Sequence, residues 1–95
     1  MRPPATPTLR ADDDKVRVTE WRIMPGEATG YHTHEMDYVI VPLVEGVVTI
    51  QGPDGSLSDH VMSPTAPYSR KAGVQHDVIN NTKSPILFVE VELKP

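Results

Sequence analysis

An all-β fold, a sandwich or barrel of short strands, is what this sequence of 95 residues predicts. Three observations carry the prediction. Apolar and β-branched residues come in short runs, which strands prefer. Ten prolines and six glycines break the chain between those runs at even intervals. No segment keeps the apolar spacing that a helix needs to bury one face. Short strands separated by turn residues are the pattern of a sandwich or barrel.

The elements follow in order. In residues 1–14, Pro3, Pro4 and Pro7 remove backbone donors, and Asp12, Asp13 and Asp14 repel one another. An irregular segment is expected there, with an edge strand packed on a partner subunit as the alternative. The barrel domain is expected over 15–95. Its first strand, 15–23, alternates in part, with Val16 and Val18 on one face, and Pro25 and Gly26 end it as a turn. Residues 31–34 read as a short strand and 37–44 as one richer in Val and Ile. Glu45 and Gly46 read as a turn, so 47–51 is expected to close a hairpin. A tight turn at 52–55 leads into a strand at 57–62. Pro64 and Pro67 bracket a loop, and Arg70 and Lys71 read as a solvated loop, with the alternative that one points into the barrel mouth and holds a carboxylate substrate. Strands at 75–80 and 86–93 complete the series.

Composition narrows the function. A chain this short builds one domain with one modest core, which a metal or a partner subunit would supplement. There is no cysteine, which removes thiolate sites, iron–sulfur clusters and cysteine nucleophiles, and suits a reducing compartment. The net charge is -4 and the nine Lys and Arg are scattered, which argues against nucleic acid as a partner. The first residues lack the apolar core of a secretory signal, and no apolar run approaches the ~20 residues of a membrane span. A cytoplasmic protein with no membrane association is the expectation.

Chemistry concentrates at His32 and His34. Residues two apart on a strand point to the same face, so both imidazoles can reach one ion. Glu35 and Asp37 follow at once. A third histidine, His76, stands in a strand after Gly73. His60 has no partner pattern and reads as a surface strand residue. The aromatic residues read mostly as barrel wall, with Tyr31 turned away from the face of His32 and Tyr38 near the site in sequence.

These residues resemble the two motifs of the cupin family. Gly26, five residues, His32-Thr-His34 and the later Gly46 resemble the first motif. Gly73, two residues, His76, three residues and Asn80 resemble the second, although Thr65 and Lys71 stand where that motif has Gly and Pro. The resemblance spans about residues 16–93. It implies a jelly-roll barrel of two antiparallel sheets with a divalent metal ion inside, held by three imidazoles and a glutamate. That glutamate is absent, since Tyr38 and Val39 occupy its place. Asp37, nine residues before Gly46, keeps the parity of the family's glutamate when counted back from that glycine. The expected metal ligands are therefore His32, His34, Asp37 and His76, with Glu35 as the alternative carboxylate. Asp77 and Asn80 are candidates to orient the imidazoles. Iron, nickel, manganese and zinc all remain open.

Residues 21–26 and 34–43 further resemble a group of very small bacterial cupins labelled as β-alanine degradation proteins, which implies a role near amino-acid or amine catabolism. Three functions are compatible with the residues. The first is a metalloenzyme acting on a small carboxylate, amine or dioxygen. The second is a barrel that binds a small molecule or metal without turnover. The third is a metal-free acid–base site, against which a ring of three imidazoles weighs. A homodimer is expected, because strands 16–23 and 86–93 would otherwise leave open edges.

Overall fold

The computed structural model describes residues 2–95 and consists of nine strands with no helix. In chain order these are β1 (Thr6–Asp12), β2 (Val16–Ile23), β3 (His32–Thr33), β4 (Asp37–Pro42), β5 (Gly46–Gln51), β6 (Leu57–Met62), β7 (Tyr68–Arg70), β8 (Gln75–Ile79) and β9 (Ile86–Leu93). They form two antiparallel sheets. One runs β1-β2-β9-β4-β7 and the other β3-β8-β5-β6. The expected all-β barrel is what the chain builds.

Alternation sets which side chains fill the barrel. On β4, Tyr38, Ile40 and Pro42 are buried while Asp37, Val39 and Val41 are half-buried on the other face. On β9, Ile86, Phe88 and Glu90 are buried and Leu87, Val89 and Val91 lie outward. The core gathers Ile23, Ile40, Val48, Met62, Val78, Ile86 and Phe88. Asn80 is wholly buried and ties two turns together: its Nδ2 donates to the carbonyls of Ile23 (2.7 Å) and Ser84 (2.8 Å). It therefore holds the fold and does not orient an imidazole.

The structure corrects four expectations. Thr6–Asp12 is not irregular: it forms β1, an edge strand paired with β2, as in the alternative of an edge strand. Proline is tolerated because β1 is an edge strand. The acidic run finds partners, with Asp13 Oδ1 accepting from the N–H of Lys15 (2.8 Å) and Val16 (2.9 Å), and Asp12 paired with Lys94 and Arg17. Secondly, β4 and β5 are not a hairpin. β4 pairs with β7 and β9, and β5 with β6 and β8, so the chain changes sheets between them. Gly46 stands at that corner, where a Cβ would collide with Ile86 Cδ1. Thirdly, Arg70 is not in a loop but ends β7, which pairs with β4. Finally, β2 and β9 are interior strands, and the sheet edges are β1 and β7, β3 and β6.

Candidate metal centre

The short strand β3 carries His32 opposite His76 on β8. His34 follows just beyond β3, and its backbone is clamped to the segment before β8. The His34 N–H donates to Val74 O (2.9 Å) and the Gly73 N–H to His34 O (2.8 Å). Three imidazoles from two chain segments thus meet inside the barrel.

Their Nε2 atoms converge. His34 Nε2 lies 3.0 Å from His32 Nε2 and 3.1 Å from His76 Nε2. The His32 Nδ1 lies 2.7 Å from the carbonyl of Gly30 and donates to it, which leaves the His32 Nε2 lone pair free. Gly30 adopts φ +90°, a conformation that favours glycine. Asp77 Oδ1 accepts from the Gly30 N–H at 3.0 Å. Asp77 thereby positions His32 through Gly30 and touches no imidazole nitrogen itself.

The donor set fits a cation. A ring nitrogen carries at most one proton, so His34 Nε2 can make one good hydrogen bond with its two neighbours. The other contact sets like against like unless a cation lies between. His34 is 7% exposed. Burial, with His32 and His76 beside it, pushes its imidazole down to about 4. Burial likewise pushes His76 down to about 4, helped by His32 and opposed by Asp77. Both rings are neutral at pH 7, the form that ligates metal.

The four expected ligands do not all meet. Among the described residues, His32, His34 and His76 are the cluster with a metal-ligand arrangement. Asp37 is a correction: its side chain faces the loop before β8, where Oδ1 accepts from the Ala72 N–H (2.8 Å) and Oδ2 lies 3.8 Å from Lys71 Nζ. The parity count from Gly46 assumed one continuous hairpin, and the chain changes sheets instead. Glu35 is exposed and lines a recess with His32, His34, Arg17 and Glu92, but is outside the three-histidine cluster. The inward position next to the histidines belongs to Tyr38. Its ring stacks on His34 with centroids 3.9 Å apart and planes at 20°. Burial, with Tyr68 and Glu90 nearby, pushes its phenol up to about 12, so it stays neutral.

Beyond the histidines the barrel encloses a cavity of about 310 Å³. Its walls include Trp21, Phe88 and Ile40, with Glu90, His60 and Tyr68 as polar groups. The volume is that of a small-molecule site. His60 is a second correction: it shares the parity of buried Met62 on β6, faces the cavity and packs edge-on against Tyr68, with centroids 4.7 Å apart. Arg70 lies over the Tyr68 ring at 4.6 Å and lines the same cavity. Glu90 went unread in the sequence because Val89-Glu90-Val91-Glu92 alternates as a strand with its glutamates in solvent would. Its parity with Ile86 and Phe88 was the available signal.

No family profile matches the chain. It is 46% identical over 93 residues to the β-alanine degradation protein BauB of Pseudomonas aeruginosa, covering 98% of this chain and 97% of that protein. It is also similar to the crystal structure of a cupin domain from Bordetella pertussis Tohama I. That match has 42% identity and a TM-score of 0.94, and covers 100% of this chain and 98% of that one. The chain belongs to the cupins. A cupin of the same double-stranded β-helix fold from Methanocaldococcus jannaschii is 12% identical, with a TM-score of 0.80 over 95% of this chain and 80% of that one. That likeness concerns the fold alone. Among cupins, this one keeps the three motif histidines together and sets a tyrosine where the family motif has its glutamate.

Proposed function

We propose that this cupin holds one divalent metal ion through His32, His34 and His76 and acts on a small molecule in the adjoining cavity, as a metalloenzyme of amine or amino-acid catabolism. The observation that carries the reading is the convergence of three Nε2 atoms around His34, two of them within 3.1 Å of its own. The printed role of BauB in β-alanine degradation supports the substrate class. An all-imidazole donor set suits zinc, iron and nickel better than manganese, which favours carboxylates.

A bound divalent ion would supply Lewis-acid or redox chemistry and leave positions for a ligand oxygen. The protein's own groups do the rest. Gly30 fixes the tautomer of His32, Tyr38 packs the ring of His34, and Trp21, Ile40 and Phe88 give the cavity an apolar wall. A barrel that binds a small molecule without turnover would use the same residues, so turnover is the point to test.

The proposal includes a homodimer, supported by valines on the outer face of β2, β4 and β9, and a cytoplasmic location, which the lack of cysteine suits. Among the described residues no helix is long and apolar enough to cross a membrane.

Elemental analysis of protein purified without an affinity tag tests the metal. One equivalent of a single transition metal per chain is expected, lost in His76→Ala. Traces of many metals, none near stoichiometric, would sink the reading. Release of a changed product from β-alanine or a related amine by the loaded protein separates the enzyme from the binding barrel.

A further inference from the structure

One side chain in the cavity weakens the fold it sits in. Glu90 is 9% exposed, points inward from β9, and lies in register between Thr19 of β2 and Ile40 of β4. Among the described residues it forms no ion pair, because the nearby cations are engaged elsewhere. Arg17 pairs with Asp12 (3.6 Å) and Glu92 (3.7 Å), and Arg70 lies over Tyr68 and donates to Ser69 O. Among the described residues every fully enclosed side-chain polar atom has a hydrogen-bond partner, so the carboxyl oxygens of Glu90 are open to the cavity. A buried carboxyl without a cation costs stability, and an apolar residue would fill the place better. Burial and the neighbouring Glu92 push it up to about 7.

We propose that Glu90 is the recognition site for the ammonium group of a small primary amine bound in the cavity. Charge decides among ligand groups. Glu92 is paired with Arg17 and Arg70 is held over Tyr68, so the Glu90 carboxylate sets the charge at its own end of the cavity, where an anion is repelled and a cation is drawn in. Trp21, which lines the same cavity, offers a further aromatic group to a cation, whereas the Tyr68 ring already carries Arg70. Burial strengthens such a charge-assisted bond over one made in water. The ligand is thus an amine whose other end carries an oxygen donor directed to the histidines. Only that second end rests on the metal-site reading.

The test uses full-length protein freed of metal with chelator, at pH 8, titrated with n-propylamine, n-propanol and propionate and followed by ligand-observed NMR. The amine is expected to bind about tenfold more tightly than the alcohol or the acid. Glu90→Gln should abolish that preference while the melting temperature holds or rises. If Glu90→Gln does not fold, Glu90→Met serves in its place. Equal binding of the three probes, no binding of the amine, or a preference that survives in the variant overturns the proposal. Repeating the titration with zinc present, using β-alanine against n-propylamine, reads the oxygen end separately. A protein that takes up no zinc removes the metal reading and leaves the amine result standing.

Discussion

Tyr38 lies flat on His34, with ring centroids 3.9 Å apart and planes 20° from parallel. It occupies the inward position next to the histidines, where the family motif has a carboxylate. The ring braces an imidazole where a glutamate would have bound the ion. If so, the hydroxyl is dispensable and the ring is not. Tyr38→Phe should keep metal stoichiometry and bind zinc within about twofold of wild type. Tyr38→Ala should lose roughly 3 kcal/mol of stability, as large-to-small core changes do. Asp37→Ala should leave metal content untouched and cost only about 1 kcal/mol, for the lost bond to the Ala72 N–H. Elemental analysis with thermal melts checks all three. Metal lost from Asp37→Ala alone would restore the aspartate as a ligand.

Asp77 acts on His32 at one remove. Its carboxylate accepts from Gly30 N–H, and the carbonyl of Gly30 takes the His32 Nδ1 proton. Outer partners of metal-bound histidine commonly govern affinity by about 10–100-fold. Asp77→Ala should therefore weaken zinc binding by roughly tenfold in a chelator competition, without loss of secondary structure by circular dichroism. Unchanged affinity would show that Gly30 holds its place without the carboxylate.

How much of this was legible in the sequence varies by residue, and the reasons are physical. His32 and His34 were legible because parity on a strand is local. His76 was legible because Gly73 and Asn80 mark its turn and its strand end. β9 (Ile86–Leu93) was read with its bounds, since Pro85 delimits it. Asp37 was misplaced because its face was counted across 43–46, where the chain leaves one sheet for the other. No local pattern announces that change. β1 was missed because prolines argue against strands in general but not against edges. His60 was assigned to solvent on polarity, although it shares its parity with Met62, whereas Arg70 is exposed as expected but ends a strand. Glu90 was hidden by the alternation Val89-Glu90-Val91-Glu92, in which local pattern puts the valines inside and the glutamates in water, the reverse of what the sheet does.

Glu90 gives the fold a pH dependence whose sign is fixed. Its carboxyl is pushed up to about 7, chiefly by burial and then by Glu92, from an ordinary value of 4.5. Below the ordinary value both folded and unfolded chains hold the proton, and stability is unaffected. As pH rises from there towards 7, the unfolded chain loses its proton first, so the folded state loses stability. The loss is complete above the raised value. It is on the order of 2 kcal/mol once water reaching the cavity is allowed for. Urea melts of metal-free Glu90→Gln against wild type should therefore coincide at acid pH and diverge by that amount at pH 8, with the variant the more stable. A wild-type curve as flat as the variant's would mean that the carboxyl is solvated.

Val91 sits in register between Val18 on β2 and Val39 on β4, and all three point away from the core and are only half-buried. Val89 and Val41 form the next row, again outward. Where one face of an antiparallel sheet meets water, polar residues normally stand on it. A valine face of this kind gains by covering itself with a second copy, and one substitution at its centre should undo that. Val91→Lys places a charge in the middle of the face without touching the barrel interior. Sedimentation should show two chains for wild type and one for the variant, with the histidine site still taking up metal. A wild-type protein that sediments as a single chain at tens of micromolar would show that the valines serve only to stiffen the sheet, as β-branched residues on a pleated surface do.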